Sequence, residues 1–163
     1  MLFRSPVSGR TAQDLRFALN RLGPENDQGG RSDAVTRWHF EYSFGVIPGA
    51  RSCVLGTLDT KATITTVLPR WMPGEDAPAD LVRRFEAYVT CARLHETGHR
   101  RIYLDAIADF RRRSGGLGEH PGCEAVGTAL DALAGAVLSE VQDAQRAYEE
   151  RTDHGYRQCG HFP

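Results

Sequence analysis

The chain has 163 residues, a formal net charge of -1, 40% hydrophobic residues and 25% charged residues. That is the size and composition of one globular domain spanning residues 1–163. No basic run is large enough to suggest a nucleic-acid partner, and no apolar run approaches the length of a membrane span.

The elements follow in chain order. "VSGRTAQDLRFALNRLG" reads as a short strand, a turn and a helix. Thr11 and Asp14 form a capping-box pattern with Asp in place of the usual Glu, and Gly23-Pro24 stops the helix. From Thr36 to Phe44 the residues alternate, with Trp38, Phe40, Tyr42 and Phe44 on one face. This predicts a half-buried strand. "CVLGTLDTKATITTVLP" is rich in Val, Ile, Thr and Leu and reads as one long strand or two short ones. "PRWMPGEDAPAD" reads as a loop. A long helix is predicted from about Ala79 to Arg113, with Leu81, Phe85, Tyr88, Ala92, His95, His99, Ile102, Ala106 and Phe110 on one stripe. "SGGLGEHPG" breaks it. A last helix is predicted from about Cys123 to Glu149. The tail "RTDHGYRQCGHFP" shows no period but is dense in reactive side chains.

The stretch "LHETGH", residues 94–99, carries the chemistry. On a helix, positions i and i+4 share a face, so His95 and His99 can both reach one zinc ion at about 2.0–2.1 Å. Glu96 is rotated by about 100°, beside the metal without ligating it, where it can take a proton from a zinc-activated water. The plainer reading is a pair of inert core histidines. The glutamate in its place favours zinc. Gly98 works against the helix by about 1 kcal/mol relative to alanine, and either leaves room for a partner segment or substrate, or reflects drift.

A catalytic zinc needs a third protein ligand and an open position. His154, beside Gly155, ranks first. Glu124, His120, His161 and Asp105 remain as alternatives. Tyr148 and Tyr156 bracket His154, and a tyrosine hydroxyl there could stabilise an oxyanion. Tyr148 also fits the apolar stripe of the last helix.

The chain resembles a bacterial family of predicted secreted zinc-dependent proteases, formerly a domain of unknown function, over nearly its whole length. The stretches that carry the likeness are "VSGRTAQDL", "DAVTRWHFEYSF", "LPRWMP", "RFEAYVTCARLHETGH" and "YEERTDHGYRQCGHFP". The last two are the most specific: an H-E-x-x-H helix followed by a Tyr-acid-x-x-Thr-x-His-Gly tail. The resemblance implies a zinc hydrolase with His95 and His99 as ligands and Glu96 as base, and makes His154 look functional. The chain departs from the family at Ser5, where a tyrosine is usual, and at Glu149, where an aspartate is usual. Neither departure touches the zinc motif on this reading.

Four cysteines are present and none forms a C-x-x-C pair. The resemblance favours Cys53 with Cys123. A Cys91–Cys159 bond would pin the tail beside the zinc helix, as third-ligand duty for His154 requires. Four free thiols are the alternative. These readings place the protein in the periplasm or outside the cell if a leader has been removed, and in the cytoplasm otherwise.

The expected fold is α+β and zincin-like: a small antiparallel sheet of about three strands packed on the long H-E-x-x-H helix. The strand before that helix is expected to offer an edge to an extended peptide. The expected activity is zinc-dependent hydrolysis of peptide bonds in a peptide or protein substrate. A zinc amidase or esterase acting on a cell-wall substrate is one alternative, and a non-catalytic zinc domain is the other.

Overall fold

The computed structural model describes residues 1–26, 29–160 and 162. It is an α+β arrangement in the order β1 (Leu2–Val7), α1 (Ala12–Leu22), β2 (Val35–Pro48), β3 (Cys53–Trp71), α2 (Ala79–Ser114), β4 (Glu119–His120), α3 (Cys123–Thr152) and α4 (Tyr156–Cys159). Among the described residues, no helix is long and apolar enough to cross a membrane.

The start of α1 forms as its sequence predicts. Thr11 Oγ1 accepts from the Asp14 amide at 3.1 Å and Asp14 Oδ2 accepts from the Thr11 amide at 3.0 Å, so the shorter carboxylate closes the capping box. The stretch that allowed one or two strands is the single strand β3. It is longer than the reading allowed, because Pro69, Arg70 and Trp71 pair with Ser5, Pro6 and Val7 instead of forming a loop.

The sheet is mixed, and this corrects the expected antiparallel sheet. Its order is β1-β3-β2, with β4 also on β3. A four-residue connection joins β2 to β3, closed by a 2.7 Å bond from the Gly49 amide to the Ser52 carbonyl. So short a connection makes that pair an antiparallel hairpin. β4 is also antiparallel to β3. β1 runs parallel to β3, from Leu2 opposite Thr66 to Val7 opposite Trp71. α1 and β2 intervene in sequence, which gives the chain ample length to return in the same direction. β3 is therefore the central strand, not the expected edge, and β1, β2 and β4 each pair with it.

Two units divide the chain. The first takes Met1–Arg37, Ile64–Arg100 and Tyr148–Pro163; the second takes Trp38–Thr63 and Arg101–Ala147. The core of the first is Val7, Leu15, Ala18, Leu19, Leu81, Phe85 and Phe162. The core of the second is Cys53, Phe110, Val126, Leu130, Leu133 and Val137, covered by Phe40 and Tyr42. Trp38 stacks on Tyr103 at 4.9 Å there. Of the alternating face of β2, Trp38, Phe40 and Tyr42 are half-buried, while Phe44 is exposed.

The helix boundaries bear on the site. α2 keeps its predicted span, but beyond His99 its buried face passes through Tyr103 and Ile107 instead of Ile102 and Ala106. α3 continues three residues past the expected end at Glu149. The tail then makes the single-turn helix α4, too short to show a period.

Candidate metal centre

Every residue of the centre belongs to the first unit. His95 and His99 lie one turn apart on α2 and are both buried. Their Nε2 atoms are 3.1 Å apart, with the rings nearly perpendicular at 83°. Glu149, near the end of α3, brings its carboxylate to the same point. Its Oε1 is 3.2 Å from His99 Nε2 and its Oε2 is 3.6 Å from His95 Nε2. The three residues can hold a metal ion, since each has a donor atom within 4.8 Å of the others.

Bond lengths of about 2.0–2.1 Å at the tetrahedral angle put ligand atoms about 3.3 Å apart. The observed separations of 3.1, 3.2 and 3.6 Å bracket that value. Glu149 Oε2 is buried without a hydrogen-bond partner among the described residues, as a carboxylate directed at a cation would be. Two nitrogens and one carboxylate oxygen are also a donor set that suits zinc.

Without a cation, the same three groups shift one another. Burial lowers the pKa of His95, but hydrogen bonds to Glu149 and Gln158 outweigh it and the net shift is upward. Burial raises the pKa of Glu149, but hydrogen bonds and charge from both histidines leave it well below the usual carboxylate range.

Glu96 is buried too, with Oε2 unpartnered among the described residues. Its pKa is raised, chiefly by burial, against opposing contributions from Thr36 and the two histidines. Its main-chain carbonyl accepts from Thr36 Oγ1 at 3.4 Å, and Thr36 meets Thr66 at 2.8 Å. These contacts tie this turn of α2 to the sheet.

His95, Glu96 and Glu149 line a cleft of about 530 Å³. Its far wall includes Asp33, which receives hydrogen bonds from both Arg16 and Tyr88. Burial and the neighbouring Asp33 raise the pKa of the Tyr88 hydroxyl above its usual value.

Tyr148 explains the glycine in the motif. Its hydroxyl donates to the His95 carbonyl at 3.0 Å, and its ring stacks on His95 at 5.1 Å and meets His99 edge-on at 4.9 Å. A Cβ on Gly98 would lie 2.1 Å from the Tyr148 oxygen. The gap left at Gly98 is filled by a segment of the chain itself.

α3 ends in a left-handed turn, with φ of 51° at Asp153, 52° at His154 and 85° at Gly155. Gly155 is favoured by its φ, while a Cβ there would make only ordinary contact with the His95 ring, at 3.4 Å. The turn sends the tail back across His95, where Gln158 Oε1 lies 2.9 Å from Nδ1. Cys159 bonds to Cys91, one turn before His95, and Cys53 bonds to Cys123. Both pairings match those anticipated from the sequence.

The structure groups Glu149 with the histidines, where the sequence ranked His154 first. The left-handed backbone turns the His154 ring outward; it is 72% exposed, with Nδ1 3.4 Å from Glu149 Oε2. His154 and Tyr156 both line the cleft. Asp105, His120 and Glu124 belong to the second unit, where Asp105 pairs with Arg101. His161 lies outside the described residues.

Sequence reasoning missed Glu149 and Gln158. Glu149 was visible as the acid of the Tyr-acid-x-x-Thr-x-His-Gly tail. Its position as the last residue of the expected helix hid it, and the departure from aspartate there does touch the centre. The signal for Gln158 was indirect, since it precedes the cysteine bonded to Cys91.

No curated protein and no solved structure matches the chain. The sequence model described as "Bacterial protein of unknown function (DUF922)" matches residues 4–155, from β1 to the glycine packed on His95, and the chain belongs to that bacterial family.

Proposed function

We propose that the protein is a zinc-dependent metallohydrolase that cleaves peptide bonds. The observation that carries this reading is the convergence of His95, His99 and Glu149 at ligand spacing, with the buried carboxylate of Glu96 opening on the same cleft. A structural zinc is enclosed by four protein ligands, whereas a catalytic one keeps three and an open position. Three grouped donors, of which His95 and Glu149 line an open cleft, fit the catalytic pattern.

On this reading His95, His99 and Glu149 hold the metal. When bound, zinc lowers the pKa of water and polarises a carbonyl. Glu96 takes the proton from the attacking water and delivers it to the leaving amine. Burial raises the pKa of this carboxyl, which makes it a stronger proton acceptor than an exposed glutamate. Tyr148 positions the α2 turn through the His95 carbonyl, and its hydroxyl is committed there. Tyr156, on the cleft wall, can contact substrate. The cleft volume falls within the usual range of about 300–1,000 Å³ for small-molecule sites, room for a short stretch of extended chain. Two disulfides fit an oxidising compartment, outside the cytoplasm.

The test is zinc content by elemental analysis together with hydrolysis of an unfolded protein. Wild type should carry a single zinc. Glu149→Ala should lose it, while His154→Ala and Glu96→Gln keep it. Glu96→Gln should slow hydrolysis by about 10²–10⁴-fold. Wild type that takes up no zinc even when it is supplied sinks the reading. Zinc kept by Glu149→Ala but lost by His154→Ala gives the third place to His154.

A further inference from the structure

Gln158 lies outside the donor group yet contacts it directly. Its Oε1 is 2.9 Å from His95 Nδ1, on the ring edge away from Glu149. A neutral imidazole carries one N–H. When that proton sits on Nδ1 and is donated to the Gln158 amide oxygen, Nε2 is left with its lone pair directed at the metal position. The opposite tautomer would aim an N–H at His99 Nε2 and the Glu149 carboxylate, where a cation belongs. The identity of the residue facing Nδ1 therefore decides whether His95 is prepared as a ligand.

Gln158 is not held there by its own element. α4 is a single turn of four residues, with no buried residue and no side-chain cap. Helices this short are marginal without tertiary support. The support comes from the next residue, because Cys159 is bonded to Cys91 with their Cα atoms 5.4 Å apart. Cys91 and His95 are one turn apart on the same face of α2. The bond thus sets Cys159 over one turn of α2 and the preceding Gln158 over the next. Gly155 completes the approach, since its φ of 85° makes the turn that brings the tail back to the His95 ring.

We infer that Gln158 is a positioning residue of the metal centre, fixing the Nδ1–H tautomer of His95, and that the Cys91–Cys159 disulfide is the tether that keeps it in place. The inference rests on the zinc reading above and adds a dependence of metal affinity on the tail.

The experiment measures zinc affinity by competition with a chelating dye for wild type, Gln158→Leu, Gln158→Glu and the Cys91→Ser/Cys159→Ser double variant. It is paired with ¹⁵N spectra of the His95 ring in metal-free protein at alkaline pH. Gln158→Leu should weaken zinc binding by about 10–100-fold, the usual effect of losing such a partner, and should mix the His95 tautomers. Gln158→Glu keeps an acceptor and should bind zinc at least as tightly as wild type. The double serine variant should weaken binding in the same range, and adding Gln158→Leu to it should cost nothing further. Wild-type affinity and tautomer in Gln158→Leu overturn the role. So does a Gln158→Glu variant as weak as Gln158→Leu, because a merely structural side chain would show no rescue by an acceptor. Wild type that binds no zinc removes the metal reading and this role together, whereas tight wild-type binding unchanged by Gln158→Leu removes this role alone.

Discussion

Gly98→Ala tests whether the packing of Tyr148 builds the centre. In an unpacked helix the exchange is favourable by about 1 kcal/mol. Here the new Cβ would lie 2.1 Å from the Tyr148 oxygen, 2.2 Å from Cζ and 2.8 Å from Cε2, distances that no settled structure sustains. The ring has little freedom to retreat, being stacked on His95, set edge-on to His99 and tied by its hydroxyl to the His95 carbonyl. Overpacking of this kind costs about 1–3 kcal/mol, and losing the hydroxyl's hydrogen bond adds about 1 kcal/mol. After the helix gain is subtracted, the net loss is about 1–3 kcal/mol. For a chain of this size each kcal/mol lowers Tm by about 2–4 °C. The assay is thermal unfolding by circular dichroism, with a chelator present, for wild type, Gly98→Ala, Tyr148→Ala and the double variant. Removing the ring should abolish the cost of the alanine and leave its helix gain. A Gly98→Ala protein that melts at or above wild type refutes the reasoning. An equal loss in the Tyr148→Ala background does so as well, because the clash would then lie elsewhere.

Two further outcomes are expected, one at the centre and one in the core of the first unit. In metal-free protein, the raised pKa of His95 contributes stability that is complete below its ordinary 6.5 and lost as pH rises through the folded value. The depressed pKa of Glu149 contributes stability that is complete above its ordinary 4.5 and lost as pH falls through the folded value. With chelator present, the contribution of this pair to urea stability should therefore be greatest between those two values. Zinc should move the optimum upward, because ligands must be unprotonated to bind it. Metal-free stability that climbs steadily into the alkaline range would contradict the assignment. Phe162→Ala should cost about 3–5 kcal/mol in chemical denaturation, since the ring is buried between Phe85 at 5.4 Å and Tyr88 at 5.3 Å. A loss below about 1 kcal/mol would show that the tail is not anchored there.

What the sequence made legible was what it encodes locally. The capping box at Thr11, the helix carrying His95 and His99 and the alternation of β2 rest on spacings of a few residues, and each element formed. The parallel pairing of β1 with β3 was not legible, because it joins residues more than sixty positions apart and has no local signature. The grouping of Glu149, rather than His154, with the two histidines was not legible for a related reason. His154 has the more familiar ligand chemistry, but Asp153 and His154 adopt left-handed backbone conformations that nothing in their side chains announces. Glu149 stands one residue after the tyrosine that fills the gap at Gly98, so its place depends on a contact between side chains fifty positions apart. The Cys53–Cys123 bond was anticipated from the family resemblance, and Cys91–Cys159 from the places of its cysteines beside His95 and His154.

The order of the centre along the chain has a consequence for the protein's biosynthesis. His95 and His99 are made some fifty residues before Glu149, and Cys91 waits still longer for Cys159. A nascent chain that has exposed its whole H-E-x-x-H helix still holds only two of the three grouped donors, and neither Cys53 nor Cys91 yet has the cysteine it bonds to. On the proposed reading, hydrolysis cannot begin while the ribosome is still adding the tail, nor on any fragment cut short before it. On that reading, the order of the donors along the chain makes completion of the centre one of the last events of synthesis.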